Sequence, residues 1–339
     1  MRGRRLVSGA LAALATALTA PAAAHASFAP PDTPGPPLSV PKAKLAAALD
    51  CTGGIGSASR TPVLLVPGTT LNPEIEFSWN WKRALSALGW PYCTVALPAD
   101  GMNDVQVAGE YVVYAIRRIH ARSDRRVDVI GHSQGGMVPR WALRFWPRTR
   151  GMVEDLVGFS PSNHGTVDAV PACVAGCAPS FWQQRTGSNF LRALNSYQET
   201  FPGISYTNVY TRTDEVVAPN VGPAASSSLH GGGGKIANVA IQDVCPLDPS
   251  EHLAVGTYDN PAYELAVDAL THRGAADASR IGASACTRAF MPGVDQSTFL
   301  SDYSRELAYI GRVIATSPTV PREPPLACYT TASCGPADR

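Results

Sequence analysis

The residues most able to do chemistry in this chain are Gly131-His132-Ser133-Gln134-Gly135, its single G-x-S-x-G pentapeptide. At this glycine and serine content such a match arises by chance in about one chain in five of this length. Its setting carries more weight. A short apolar run at 127–130 directly precedes it, and a helical pattern opens near Gln134. A sharp strand-to-helix turn there would lift the Ser133 hydroxyl off the sheet edge and bring the Gln134 amide to a helix N-terminus, where it can hold a developing oxyanion. The plainer reading is a glycine-rich turn in which Ser133 only caps the helix.

A serine hydroxyl is a weak nucleophile at neutral pH and needs a base oriented by a carboxylate. With a nucleophile in this kind of turn, the chain order is serine, acid, histidine. His164, His230, His252 and His272 follow Ser133. His164 comes before any later strand could supply the acid. His230 precedes four glycines, which position a ring poorly, and His272 ends an amphipathic helix. His252 lies in a loop beyond a strand at 236–241 and is the expected base. Asp214 follows a strand at 207–211 and is the expected acid. Its neighbour Glu215 should point elsewhere, and Asp243 is the rival, only nine residues before His252. A second oxyanion donor is expected after the first core strand, in Pro67-Gly68-Thr69-Thr70, with Thr69 preferred and Thr70 in reserve.

These groups need a frame. Strands are predicted at 63–66, 93–97, 127–130, 156–159, 207–211 and 236–241. Helices are predicted at 79–88, 105–120, 137–145, 261–272 and 298–315. Short apolar strands alternating with amphipathic helices mean βαβ units and a mainly parallel sheet covered on both faces, an α/β fold. No repeat or composition break interrupts 43–317, so one catalytic domain is expected there. Residues 27–42 read as a Pro-rich lead-in and 318–339 as a tail pinned by cysteines.

Residues 1–26 read as a secretory signal peptide. Arg2, Arg4 and Arg5 precede an apolar stretch, and Ala24-His25-Ala26 is a small-x-small cleavage site. The other reading is an uncleaved anchor. Cleavage after Ala26 would take the formal net charge from +1 to −2. That balance offers nothing to neutralise phosphates, so nucleic acid is excluded as a partner. With 45% hydrophobic and 16% charged residues, the 339-residue chain is also no disordered polyelectrolyte. Its eight cysteines, in an exported chain, read as four disulfides of undetermined connectivity rather than a metal site.

Several motifs resemble the lipase B branch of the α/β-hydrolase serine lipases. They are Val66-Pro67-Gly68-Thr69, Asn103-Asp104-Val105-Gln106-Val107 with Glu110-Tyr111, Ser133-Gln134-Gly135-Gly136, Ala178-Pro179-Ser180 with Trp182-Gln183-Gln184, and Thr213-Asp214-Glu215-Val216-Val217. The likeness runs from about Leu45 to the C-terminus. It implies the α/β-hydrolase fold and a serine triacylglycerol lipase or esterase with little interfacial activation. Separately, the chain is expected to be a secreted monomer that meets a lipid or other ester substrate, at or near a lipid–water interface, and needs no cofactor or metal. The resemblance carries the nucleophile onto Ser133, the acid onto Asp214, the base onto His252 and the oxyanion donors onto Thr69 and Gln134. It also implies disulfides Cys51–Cys93, Cys245–Cys286 and Cys328–Cys334.

Three departures stand out. His132 occupies a position where the family carries a bulky tryptophan beside the alcohol pocket. Ser162 and Asn163 replace a stretch holding an acidic residue near the acyl site. Cys173 and Cys177 lie in a short lid-like segment at 167–180, where a local Cys173–Cys177 bridge is expected. His132, Ser162, Trp182 and the helix at 298–315 are the expected pocket lining. Two other functions stay open: a short-chain esterase or polyester hydrolase, and a non-catalytic binding protein on a hydrolase scaffold.

Overall fold

The computed structural model describes residues 28–57 and 59–335. The expected signal peptide and the last four residues lie outside them. Seven strands form one sheet: β1 (Leu49–Cys51), β2 (Val63–Val66), β3 (Tyr92–Val95), β4 (Val127–His132), β5 (Val153–Phe159), β6 (Ser205–Tyr210) and β7 (Lys235–Ala240). Their spatial order is β1-β3-β2-β4-β5-β6-β7. Every neighbouring pair is parallel except β1 with β3, where Cys51 lies opposite Cys93. The helices are α1 (Lys42–Ala47), α2 (Pro73–Phe77), α3 (Trp81–Ala87), α4 (Val105–Ser123), α5 (Gln134–Phe145), α6 (Ala169–Ala172), α7 (Pro179–Gln184), α8 (Asn189–Leu194), α9 (Ile241–Val244), α10 (His252–Thr257), α11 (Asn260–Thr271) and α12 (Phe299–Thr316).

The period of two along each strand divides the core. On β2, Leu64 and Val66 join a cluster with Val112, Ile116, Trp141 and Phe190, on the face covered by α4, α5 and α8. Val63 and Leu65 join Trp81, Leu85, Val157, Phe159 and Leu265 on the opposite face, under α3 and α11. All four β2 residues are buried, as expected for a strand covered on both sides. Large rings fill both layers: Trp141 stacks on Phe190 with centroids 4.3 Å apart, and Trp81 on Phe159 at 5.3 Å.

Several boundaries differ from the sequence reading. β1 was not expected, since three residues are too short for a hydrophobic period to show. The helix expected at 79–88 is α3, and a short α2, which was not expected, precedes it. Asn72 and Asn80 each accept backbone N–H bonds as N-caps and restart the chain between them. His252 is not in a loop but is the first residue of α10, capped by the Glu251 carboxylate.

The lead-in and tail pack onto the domain. Trp146 Nε1 donates to the Pro36 carbonyl, Ala29 N donates to the Thr330 carbonyl, and the Cys177 and Val320 backbones exchange hydrogen bonds. Four disulfides join Cys51–Cys93, Cys173–Cys177, Cys245–Cys286 and Cys328–Cys334. Cys51–Cys93 ties the edge strand to β3 across a sequence separation of 42, a loop closure worth roughly 4 kcal/mol. No helix among the described residues is long and apolar enough to cross a membrane.

Candidate active site

The pentapeptide sits where β4 turns into α5. Ser133 adopts φ 53°, ψ −123°, a conformation that L side chains rarely take. The turn is too tight for side chains at its flanks. A Cβ on Gly131 would lie 2.0 Å from the Gly135 carbonyl oxygen, and one on Gly135 would lie 2.1 Å from that of Val66. Gln134 is the first residue of α5, so its amide is one of the first-turn N–H groups without an intrahelical acceptor. Its side chain donates to the Gly101 carbonyl at 2.9 Å.

A cavity of about 310 Å³ opens over this turn, and Ser133, His252, Thr69, His132 and Ser162 all border it. Its apolar wall comes from Val217, Leu253 and Phe181, and from Leu307, Ile310 and Ile314, spaced to share one face of α12. Trp182, expected in this lining, is not there. Its indole Nε1 donates to the Val320 carbonyl at 2.9 Å, so it anchors the tail, and its neighbour Phe181 borders the cavity instead.

Beyond the C-terminal end of β6, Asp214 accepts from the Val216 and Val217 amides at 3.0 and 2.7 Å and from Asn220 Nδ2 at 3.1 Å. The carboxylate therefore shapes its own turn, the plainer role for an aspartate here, while facing His252. His252 Nδ1–H donates to Asp214 Oδ1 at 2.9 Å and Oδ2 at 3.1 Å. That bond fixes the tautomer, and Nε2 is the nitrogen available to take a proton. Burial works to raise the Asp214 pKa, but the facing imidazolium charge and these hydrogen bonds hold it below the usual carboxylate range. Burial likewise works to lower the His252 pKa. The charge of Asp214 and its hydrogen bond, with Glu215 and Glu251, outweigh it and raise the value above the ordinary one.

Glu215 does not point away, as the sequence suggested. Its Oε2 accepts from the His252 backbone N–H at 3.2 Å. The rival groups are engaged elsewhere. Asp243 is half exposed and pairs with Arg212, His164 bonds Glu199 at 2.9 Å, the His230 ring packs on His164, and His272 pairs with Asp268.

The loop after β2 brings Thr69 to the cavity. Thr69 Oγ1 accepts from Gln184 Nε2 at 2.9 Å, which leaves its own hydrogen free for an oxygen in the cavity. Gln184 Oε1 in turn accepts from Ser162 Oγ at 2.8 Å. Thr70 Oγ1 is turned away and donates to the Thr69 carbonyl. Sequence reading missed Gln184 as the group that orients Thr69, although it had singled out the Trp182-Gln183-Gln184 motif. It also missed Glu76, which accepts from Gly68 N at 2.9 Å and for which no local pattern signals burial.

A second buried acid lies behind the cavity wall. Glu306 of α12 is fully buried. Its Oε2 accepts from Trp79 Nε1 at 3.2 Å, and its Oε1 has no partner. Burial first, and then the nearby Glu76 charge, push its pKa well above the ordinary glutamate range. A raised acid stabilises the fold fully below its unfolded pKa and less as pH rises. Glu306→Gln is thus expected to raise Tm by at least about 2 °C at pH 9 and to leave it unchanged at pH 5. Thermal melts of both proteins at the two pH values check this.

A family model described as Lipase (class 2) matches residues 112–240. Lipase B of Pseudozyma antarctica is 39% identical over 225 residues, which are 66% of this chain and 65% of that protein; the chain thus matches just under two thirds of that relative's length. The crystal structure of Aspergillus fumigatus lipase B superposes with a TM-score of 0.81 and 32% identity, covering 91% of this chain and 78% of that one. With its parallel sheet, its strand–turn–helix serine and its histidine–aspartate bond, this chain belongs to the lipase B family of α/β-hydrolases.

Proposed function

We propose that the protein is a carboxylic-ester hydrolase that works through an acyl-enzyme on Ser133, with triacylglycerols or similar neutral lipid esters as substrates. The observation that carries the reading is one cavity bordered by Ser133, Thr69 and His252, with His252 Nδ1 bonded to Asp214 at 2.9 Å.

In this reading Ser133 Oγ attacks the ester carbonyl carbon while His252 Nε2 takes its proton. The carbonyl electron pair moves onto oxygen, which receives hydrogen bonds from the Gln134 amide and from the Thr69 amide and hydroxyl. The tetrahedral intermediate collapses, the C–O bond to the alcohol breaks, and His252 returns the proton to the leaving oxygen. Water, deprotonated by His252, then attacks the acyl carbon; the bond from that carbon to Ser133 Oγ breaks, His252 returns the proton to Oγ, and the carboxylic acid is released. Asp214 stabilises the imidazolium in both halves. The apolar α12 wall suits an acyl chain, and near-neutral composition suits uncharged esters.

The four disulfides support an oxidising, extracellular setting for an exported protein. The decisive experiment is titration with an organophosphonate. One adduct per chain, on Ser133, supports the hydrolase, and no adduct would mean a binding scaffold. Rates on C4 and long-chain p-nitrophenyl esters and on emulsified triolein separate a lipase from a short-chain esterase. Because His252 must be neutral to act, and its pKa lies above the ordinary value near 6.5, kcat/KM should rise through an acid limb centred above pH 6.5. A pH profile centred at or below that value would count against His252 as base.

A further inference from the structure

Directly behind Ser133, two ionisable side chains are buried together. His132 is 1% exposed and Glu76 is not exposed at all. His132 Nδ1 lies 2.6 Å from Glu76 Oε1, and His132 Nε2 lies 3.1 Å from the backbone carbonyl oxygen of His252. A carbonyl only accepts, so Nε2 carries a hydrogen and donates it. One further proton lies between Nδ1 and Oε1, whichever atom holds it. The other carboxylate oxygen, Oε2, accepts from the Gly68 amide. Every bond of this pair therefore ends on a backbone that carries the proposed machinery: Gly68 precedes Thr69, and His252 is the proposed base.

Packing supports the same geometry. The His132 and His252 rings lie with centroids 4.8 Å apart. A Cβ at position 256 would come within 2.4 Å of the His132 ring, so Gly256 of α10 is what lets that ring sit beneath the base. Trp81 Nε1 holds the Gly256 carbonyl at 2.9 Å from the other side. Stability does not account for such a pair, because a buried ion pair rarely outperforms apolar side chains of the same volume once desolvation is counted.

We infer that Glu76 and His132 act as positioning residues, a buried carboxyl–imidazole tie that locks the oxyanion loop at Gly68-Thr69 to the backbone of His252. This rests on the proposed acyl-enzyme reading. Neither residue donates a proton to substrate. Their role is to keep the distance between the oxyanion donors and the base constant as charge develops on both, and a displacement of about 1 Å in such a frame costs up to 10²-fold in rate.

Two variants test it on p-nitrophenyl butyrate, with rates expressed per phosphonate-titratable site so that only folded enzyme counts. Glu76→Leu/His132→Phe replaces both partners by apolar groups of similar size; it also leaves the buried Gly68 N–H without its acceptor, so a lower Tm is expected and the rate per titratable site is the quantity compared. It should still titrate at Ser133 but lose about 10- to 100-fold in kcat, whatever change in KM follows from a new side chain at the cavity border. Glu76→Gln should keep kcat close to the parent. Its amide oxygen can accept from Gly68, and its NH₂ can donate to Nδ1 of a neutral His132 whose Nε2–H still reaches the His252 carbonyl. Parental kcat in the titratable double variant overturns the inference, and so does a Glu76→Gln enzyme as slow as the double variant. Failure of the parent enzyme to titrate is a different result, and it removes the assignment of Ser133 rather than the tie.

Discussion

Ser133→Ala is expected to lower kcat on p-nitrophenyl esters by roughly 10⁶-fold while leaving the fold and Tm close to the parent's. The hydroxyl is the only atom removed. Among the described hydroxyls that border the cavity, Ser162 Oγ is committed to Gln184 Oε1, Thr69 Oγ1 accepts from Gln184, Thr70 Oγ1 donates to the Thr69 carbonyl and Thr166 Oγ1 accepts from the Asp168 and Ala218 amides. The backbone at 133 retains its strain, since φ 53° disfavours alanine as much as serine. Residual turnover should come only from the oxyanion donors acting on water. A stopped assay with purified variant, confirmed by loss of phosphonate labelling, measures this. Retention of more than a small fraction of the parent's kcat would remove Ser133, and with it the acyl-enzyme.

Asp214→Asn is the second large effect, with kcat reduced by roughly 10⁴-fold. The amide keeps the volume and an oxygen for the Val216 and Val217 amides, so the turn survives. Its NH₂ group, if turned toward His252 Nδ1, demands a lone pair there and moves the ring proton to Nε2, the nitrogen needed as acceptor. The substitution also removes the charge that raises the His252 pKa against burial. The residual activity should therefore have its acid limb displaced to lower pH. A smaller loss of kcat with an unmoved limb would place the orienting carboxylate elsewhere, Glu215 being the nearest alternative through its bond to the His252 amide.

The two effects share a cause that is partly local. Ser133 is legible from sequence because its whole environment, strand, glycine turn and helix start, is contiguous in the chain. Asp214 and His252 are legible because each follows a strand end and the chain order restricts the choice. Their mutual bond spans 38 residues and joins side chains on two different connections of the sheet. Other parts left no trace in the pattern. β1 is three residues long, and α2 is only five and starts from an asparagine cap rather than from a run of hydrophobic spacing. Trp182 was expected in the pocket lining, but one position along a short helix is enough to rotate it onto the tail and to present Phe181 to the cavity.

From the amino-acid order alone follow the α/β architecture, the serine turn and the identity of the acid and base candidates, because periodicity, glycine placement and chain order act over short separations. Folding in three dimensions adds what depends on desolvation and on distant backbones meeting: the Glu76–His132 tie, the buried Glu306 with its raised pKa, the Gln184 brace on Thr69 and the apolar wall lent by α12. A glutamate in a five-residue helix carries no local mark of burial. It acquires one only when β2, β4 and α10 close around it and exclude water.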